Sequence, residues 1–167
     1  VQLSSFTVGY SLLEDRLLLQ ATGDGDPQNF WITRRAALMI AEGIQKVLVE
    51  QYQKFGGEKI HPAPVEDLLA FDQATATQKH PPKAGAVQET LTEPPIIIYQ
   101  ISYSAVDREN CVINLTDSTG RGHGYRLTAD MLHALLNLIQ TQCAQAGWDI
   151  RLVKQTNLST IPANSLH

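Results

Sequence analysis

Phe30-Trp31-Ile32-Thr33-Arg34-Arg35 runs from an aromatic, extended pattern through a threonine into Ala36-Ala37-Leu38-Met39-Ile40, and this junction decides the fold. Thr33 stands where an N-cap belongs, because its hydroxyl can accept from a free N–H of the first helical turn. Beyond it Ala37, Ile40, Ile44, Val47, Leu48 and Tyr52 recur at spacings of three and four, which predicts one buried face on a helix ending at Phe55-Gly56-Gly57. Glycine there is expected to supply a left-handed C-terminal turn.

Upstream of the junction the pattern changes period. Phe6, Val8, Tyr10 and Leu12 alternate on one face, Glu14-Asp15 breaks the run, and Leu17-Leu18-Leu19 resumes it, which predicts two antiparallel strands. Gly23-Asp24-Gly25-Asp26-Pro27 then turns the chain into the third strand at Phe30-Trp31-Ile32.

The same transition recurs at Tyr125-Arg126-Leu127-Thr128-Ala129-Asp130. Working back from it, Tyr103-Ser104 matches Tyr10-Ser11, and Asp107-Arg108 matches Asp15-Arg16. Cys111-Val112-Ile113 matches Leu17-Leu18-Leu19, Thr116 matches Thr22, and Gly120-Arg121-Gly122 matches the turn around Gly25. Forward from it, Leu135 and Ile139 match Ile40 and Ile44 on a second helix, which carries Leu132, Leu136 and Cys143 inward and stops at Ala146-Gly147. The expected fold is α+β, an internally duplicated pair of antiparallel β-β-β-α units forming a single pseudo-two-fold domain. A three-stranded sheet with one helix leaves a face and two edges uncovered, so one unit alone is marginal and two can complete each other.

The expected boundaries are residues 1–57 for the first unit and 95–155 for the second. The second unit ends in Trp148-Asp149-Ile150-Arg151-Leu152-Val153, which alternates and admits an extra strand. Residues 58–94 form a linker rich in Pro, Ala and Thr, with room for a short helix near 64–71, and residues 156–167 read as an irregular tail.

Composition narrows the function classes. The 167 residues are 43% hydrophobic and 18% charged, close to globular averages, and the net charge of −4 provides no long-range attraction to polyanions. No stretch approaches the length of a membrane span and the first residues lack a leader pattern, so a cytoplasmic protein without membrane contact is expected. Cys111 and Cys143 fall on apolar stripes and read as packed thiols rather than a disulfide. The five histidines show no ligand spacing, so no metal site is expected, nor any cofactor. There is no nucleophile elbow and no paired carboxylates, so no catalytic residue is assigned and an enzyme is not expected. Gly120-Arg121-Gly122-His123-Gly124 lacks the Lys-Ser or Lys-Thr of a phosphate loop and reads as a hairpin turn.

Arg34-Arg35 is the least expected local choice, because cations at a helix N-terminus oppose the macrodipole. Ion pairing with Glu14 or Asp15 is the simpler account. The sharper one is an anion or nucleic-acid surface made of Trp31, Arg34, Arg35, Arg121 and Arg126, the aromatic ring stacking on bases and the guanidinium groups meeting phosphates. Against it, Ala129-Asp130 replaces the arginine pair in the second unit. The leading expectation is a non-enzymatic protein-binding or scaffold protein with a protein partner or self-association, and single-stranded nucleic-acid binding is the alternative.

Glu14-Asp15-Arg16-Leu17-Leu18-Leu19, Phe30-Trp31-Ile32-Thr33-Arg34-Arg35 and Leu68-Leu69-Ala70-Phe71 resemble a small family of uncharacterised proteobacterial proteins. The resemblance spans most of the chain and implies no activity. The duplicated layout is also similar to that of Whirly single-stranded DNA-binding proteins, in architecture alone, with three strands per unit here and no Whirly motif, so it transfers no residues.

Overall fold

The computed structural model describes residues 1–56, 91 and 93–150. The first unit is β1 (Ser5–Ser11), β2 (Arg16–Thr22), β3 (Gln28–Ile32) and α1 (Arg34–Phe55). A two-residue β4 (Ile96–Ile97) leads into the second unit, β5 (Gln100–Ala105), β6 (Asn110–Thr116), β7 (Gly122–Thr128) and α2 (Ala129–Gln145). The β-β-β-α pattern thus occurs twice. The strands lie in two sheets, β1-β2-β3-β4 and β5-β6-β7, antiparallel except that β4 runs parallel to β3.

Both helices begin as their threonines dictate. Thr33 Oγ1 accepts from Ala36 N at 3.2 Å and Thr128 Oγ1 from Met131 N at 3.3 Å, each satisfying one of the otherwise free N–H groups of a first turn. Their C-terminal ends differ. Gly147 closes α2 with φ of 70°, the left-handed conformation, whereas Gly56 caps α1 with φ of −70°, so the left-handed turn expected at Gly56 does not form there.

The two sheets correspond through their hydrogen-bond registers. Leu17, Leu18 and Leu19 stand opposite Ile32, Trp31 and Phe30, as Cys111, Val112 and Ile113 stand opposite Leu127, Arg126 and Tyr125. In the first hairpins, however, Tyr10 faces Leu17 while Ala105 faces Cys111, and Val8 faces Leu19 while Tyr103 faces Ile113. Tyr103 therefore occupies the place of Val8, not of Tyr10. Asp107-Arg108 is likewise not the counterpart of Asp15-Arg16, because Arg16 ends a register whose counterpart ends at Asn110. The cause is turn length: the connection from Ser11 to Arg16 is one residue longer than that from Val106 to Asn110. Leu12, expected on the β1 face, sits in that longer turn and is 84% exposed.

What the sequence did not announce is an exchange of lead-in segments. Residues ahead of β1 lie beside the last strand of the other unit, with Arg126 N donating to Val1 O (2.8 Å) and Leu3 N to Arg126 O (3.0 Å). Residues ahead of β5 do the reverse, with Ile98 N donating to Trp31 O at 3.0 Å. The next bond repeats too: Ser4 N donates to Thr22 O and Tyr99 N to Thr116 O, both at 2.8 Å. The helices also cross over, α1 lying against β5 and α2, and α2 against β1.

One hydrophobic cluster results, drawing on both units. Phe30 is fully buried where the inner faces of the sheets meet, its ring edge-on to Tyr125 with centroids 6.1 Å apart. Ala37, Ile40, Ile44, Val47 and Leu48 of α1, and Leu132, Leu135, Leu136, Ile139 and Cys143 of α2, are buried as the spacing predicts. Tyr52 is the exception, at the exposed end of its stripe. Trp148-Asp149-Ile150 forms no strand; Trp148 instead turns back to bury itself edge-on to Tyr10 at 6.0 Å. The remainder of the expected extra strand, most of the linker with its expected short helix, and the tail lie outside the described residues.

A cavity of about 10 Å³ opens between the sheets, lined by apolar residues and Tyr125, whose buried hydroxyl has no hydrogen-bond partner. So small a space is at the lower limit for one water, and its apolar lining does not offer the two to four polar partners that would hold it. Tyr125→Phe is therefore expected to leave stability unchanged or raise it by up to about 1 kcal/mol in denaturant unfolding, since it removes only an unsatisfied polar group.

Candidate functional site

The five residues of the candidate anion surface do not converge. Trp31 lies on the outer face of the first sheet, in register with Leu18 and Ile97, so that the three make an apolar row across β2, β3 and β4. Leu18 is 1% exposed and Ile97 46%. Arg34 and Arg35 are exposed at the start of α1, and neither makes an ion pair with any described residue. Of the expected acids, Asp15 is engaged otherwise: it accepts from the Tyr10 hydroxyl at 2.7 Å, a bond that raises the tyrosine above its ordinary pKa.

Arg121 and Arg126 belong to the second sheet and are paired. Arg121 Nε lies 3.4 Å from Asp117 Oδ2, in a turn where the other Asp117 oxygen accepts from Thr119 Oγ1 and from the N–H groups of Thr119 and Arg121. Those bonds, the hydroxyl first, hold Asp117 below the usual carboxylate range. Arg126 Nη2 donates to Asp107 Oδ2 at 3.0 Å from the outer face of β7. Asp107 also ties down its own turn, accepting from the N–H groups of Glu109 and Asn110, and the Glu109 bond is the main reason its carboxyl titrates low.

No group of three or more metal-ligating side chains gathers among the described residues, and no helix among them is long and apolar enough to cross a membrane. Cys111 and Cys143 are both buried, and desolvation pushes each thiol up to about 11, which keeps them protonated, small hydrophobes at neutral pH. His133 is buried on α2.

Sequence reasoning missed the feature that distinguishes the two units, the treatment of their first-strand edges. In an antiparallel ladder, alternate residues turn both backbone groups toward the neighbouring strand and the residues between them turn both away. Val106 N donates to Asn110 O (3.0 Å), and this fixes the alternation along β5: Ile101, Tyr103 and Ala105 direct their N–H and C=O away from β6. On β1 the corresponding residues are Phe6, Val8 and Tyr10. There one outward group is capped. Gln142, buried on α2, accepts from Tyr10 N through Oε1 at 3.1 Å, and Val8 has no exposed surface.

On β5 the equivalent bond is missing among the described residues. The α1 residue at the place of Gln142 is Val47, which has no polar atom to offer Ala105, and no described residue bonds to the outward groups of Ile101, Tyr103 or Ala105. All three side chains point inward yet remain only half-buried. α1 packs on the strand through Tyr103, and past the strand's end Gln51 Nε2 donates to Asp107 O at 3.0 Å. Beside the open edge lies a groove of about 370 Å³, lined by Glu42, Lys46 and Glu50 of α1 and by Tyr103. Its floor is rigid: the Tyr103 ring lies over Gly43 and its hydroxyl donates to Met39 O (3.1 Å) and Ile40 O (3.3 Å). The signal available in the sequence was Gln142 against Val47, which is legible only once the helices are known to cross between units.

Comparison with protein-family models, with curated proteins and with solved structures finds no match to this chain.

Proposed function

We propose that this protein is a non-enzymatic protein-binding or scaffold module that accepts an extended strand along the edge of β5. The observation that carries the reading is the contrast between edges: a buried glutamine caps the Tyr10 N–H on β1, whereas no described residue bonds to the outward groups of Ile101, Tyr103 and Ala105 beside the groove. Strand addition suits such an edge, because main-chain hydrogen bonds supply affinity and alternate side chains enter the flanking surface. β5 also carries none of the charges or prolines with which exposed edges are ordinarily protected.

The test is affinity capture on the immobilised chain together with size exclusion and light scattering. Binding, to itself or to another protein, should be present in the wild type and lost in Ala105→Pro, which removes an outward N–H without touching the β5–β6 ladder. A monomer that captures nothing contradicts the reading.

Single-stranded nucleic-acid binding is the second reading, favoured by the exposed Arg34 and Arg35, without an ion pair among the described residues and close in sequence to Trp31. It requires a gel shift at low salt that weakens steeply as salt rises and is lost in Arg34→Ala/Arg35→Ala. Absence of any shift at high protein concentration retires it.

A further inference from the structure

We infer that single-stranded nucleic acid meets the first unit alone, on the outer face of its sheet where β3 passes into α1, with a base on Trp31 and phosphates on Arg16, Arg34 and Arg35. The inference rests on the second reading above, is independent of the β5 edge, and adds Arg16, a residue the surface expected from sequence did not include. Register supplies the juxtaposition. Arg16 alternates with Leu18 and so shares the outer face with Trp31. Because Trp31 stands opposite Leu18, Arg16 is its diagonal neighbour, roughly 7–8 Å away, a separation that aromatic and long side chains bridge. The last bonded pair, Leu17 with Ile32, places Arg16 across from Thr33, which precedes Arg34 in the chain.

The second unit supplies the contrast. The outer row of Leu18, Trp31 and Ile97 corresponds there to Val112, Arg126 and Gln2, and Arg126 is tied to Asp107 at 3.0 Å. Arg16 corresponds to Asn110, and Arg34-Arg35 to Ala129-Asp130. At these four positions the first unit has an aromatic ring and three guanidinium groups without an ion pair among the described residues, and the second has neither. Charge complementarity then selects the ligand. The three guanidinium groups outnumber the carboxylates of the adjoining turn, Glu14 and Asp15, and Asp24 and Asp26 lie at the opposite end of the sheet, between β2 and β3. This end is therefore positive in a chain whose net charge is −4, so the attraction is local. Guanidinium forks suit phosphates and the indole suits the face of a base, which only an unpaired strand offers.

Titration with an oligothymidylate of about 16 nucleotides tests the site, read by anisotropy and by tryptophan fluorescence. The chain has two tryptophans and Trp148 is 8% exposed, so quenching on binding should come from Trp31 and vanish in Trp31→Phe. Trp31→Leu, which keeps the row apolar but removes the ring, should weaken binding at least about fivefold, and Trp31→Phe should retain most of it. Three phosphate contacts predict a slope of log K against log salt of about −2, each contributing about −0.7 on a single strand, and Arg16→Gln should reduce it to about −1.4. Arg108→Gln removes an exposed cation from the β5–β6 turn and should change neither slope nor affinity. Unfolding is measured alongside, and should Trp31→Leu fail to fold, the quenching and the Arg16→Gln slope decide. Binding indifferent to Arg16→Gln and Trp31→Leu overturns the site and leaves the nucleic-acid reading standing. Equal binding of polyglutamate, lost in the same variants, overturns the ligand class. No binding at low salt overturns both the site and the reading.

Discussion

Gly43→Ala is expected to destabilise the protein by about 2 kcal/mol, because a core already in contact has no room for another carbon. A Cβ at this position would lie inside the ring of Tyr103, meeting Cε2, Cζ and the hydroxyl at once. The ring cannot step aside cheaply, since its hydroxyl is tied to the carbonyl oxygens of Met39 and Ile40 on the same helix turn. Glycine in a helix interior ordinarily costs roughly 0.5–1 kcal/mol relative to alanine, so the usual sign of the substitution is reversed here. Denaturant unfolding checks it. Because the penalty belongs to the pair, Gly43→Ala/Tyr103→Ala should lose less than the sum of the two single changes, whereas additive losses would show that the ring and the glycine are not in conflict.

Gly122→Ala should cost more than Gly124→Ala, by about 1–2 kcal/mol, although both glycines sit on β7 two residues apart. A Cβ on Gly122 runs into backbone, the Leu115 carbonyl oxygen and Thr116 Cα, where β6 and β7 leave their turn. A Cβ on Gly124 meets chiefly the amide end of Asn114, which can rotate away into solvent. Backbone held by a ladder on both sides has no such freedom. Equal thermal shifts for the two variants would contradict the close approach at the head of β7.

Much of this fold was legible because its signals are local. The capping threonines and the apolar spacings behind them placed both helices to within a residue or two, and alternation placed the strands. What misled was identity of residue type: Tyr-Ser at 10–11 and at 103–104 looks like a match, yet it would need the second unit's turn to be the longer, whereas the turn before Arg16 is longer by one residue and places Tyr103 opposite the position of Val8. What could not be read was anything carried by one or two residues. Val1 to Leu3 and Ile96-Ile97 have no period to detect, although they weave each unit into the other's sheet. The candidate surface fared similarly. Arg34 and Arg35 stand out in sequence as anomalies at a helix start and have no ion-pair partner among the described residues, while Arg121 and Arg126 reveal their carboxylate partners only when the hairpins are folded. The open edge of β5 depends on which helix crosses which sheet, a long-range fact.

The account depends above all on the two units completing one another, α1 against β5, α2 against β1, and each lead-in segment beside the other's last strand. Separate expression of residues 1–57 and 95–155, followed by mixing, measures this directly by circular dichroism and cooperative unfolding. Each piece alone should lack a cooperative transition, having lost the surface its helix covers, and the equimolar mixture should recover one. A single piece that unfolds cooperatively by itself as a monomer, unaffected by addition of the other, would contradict it.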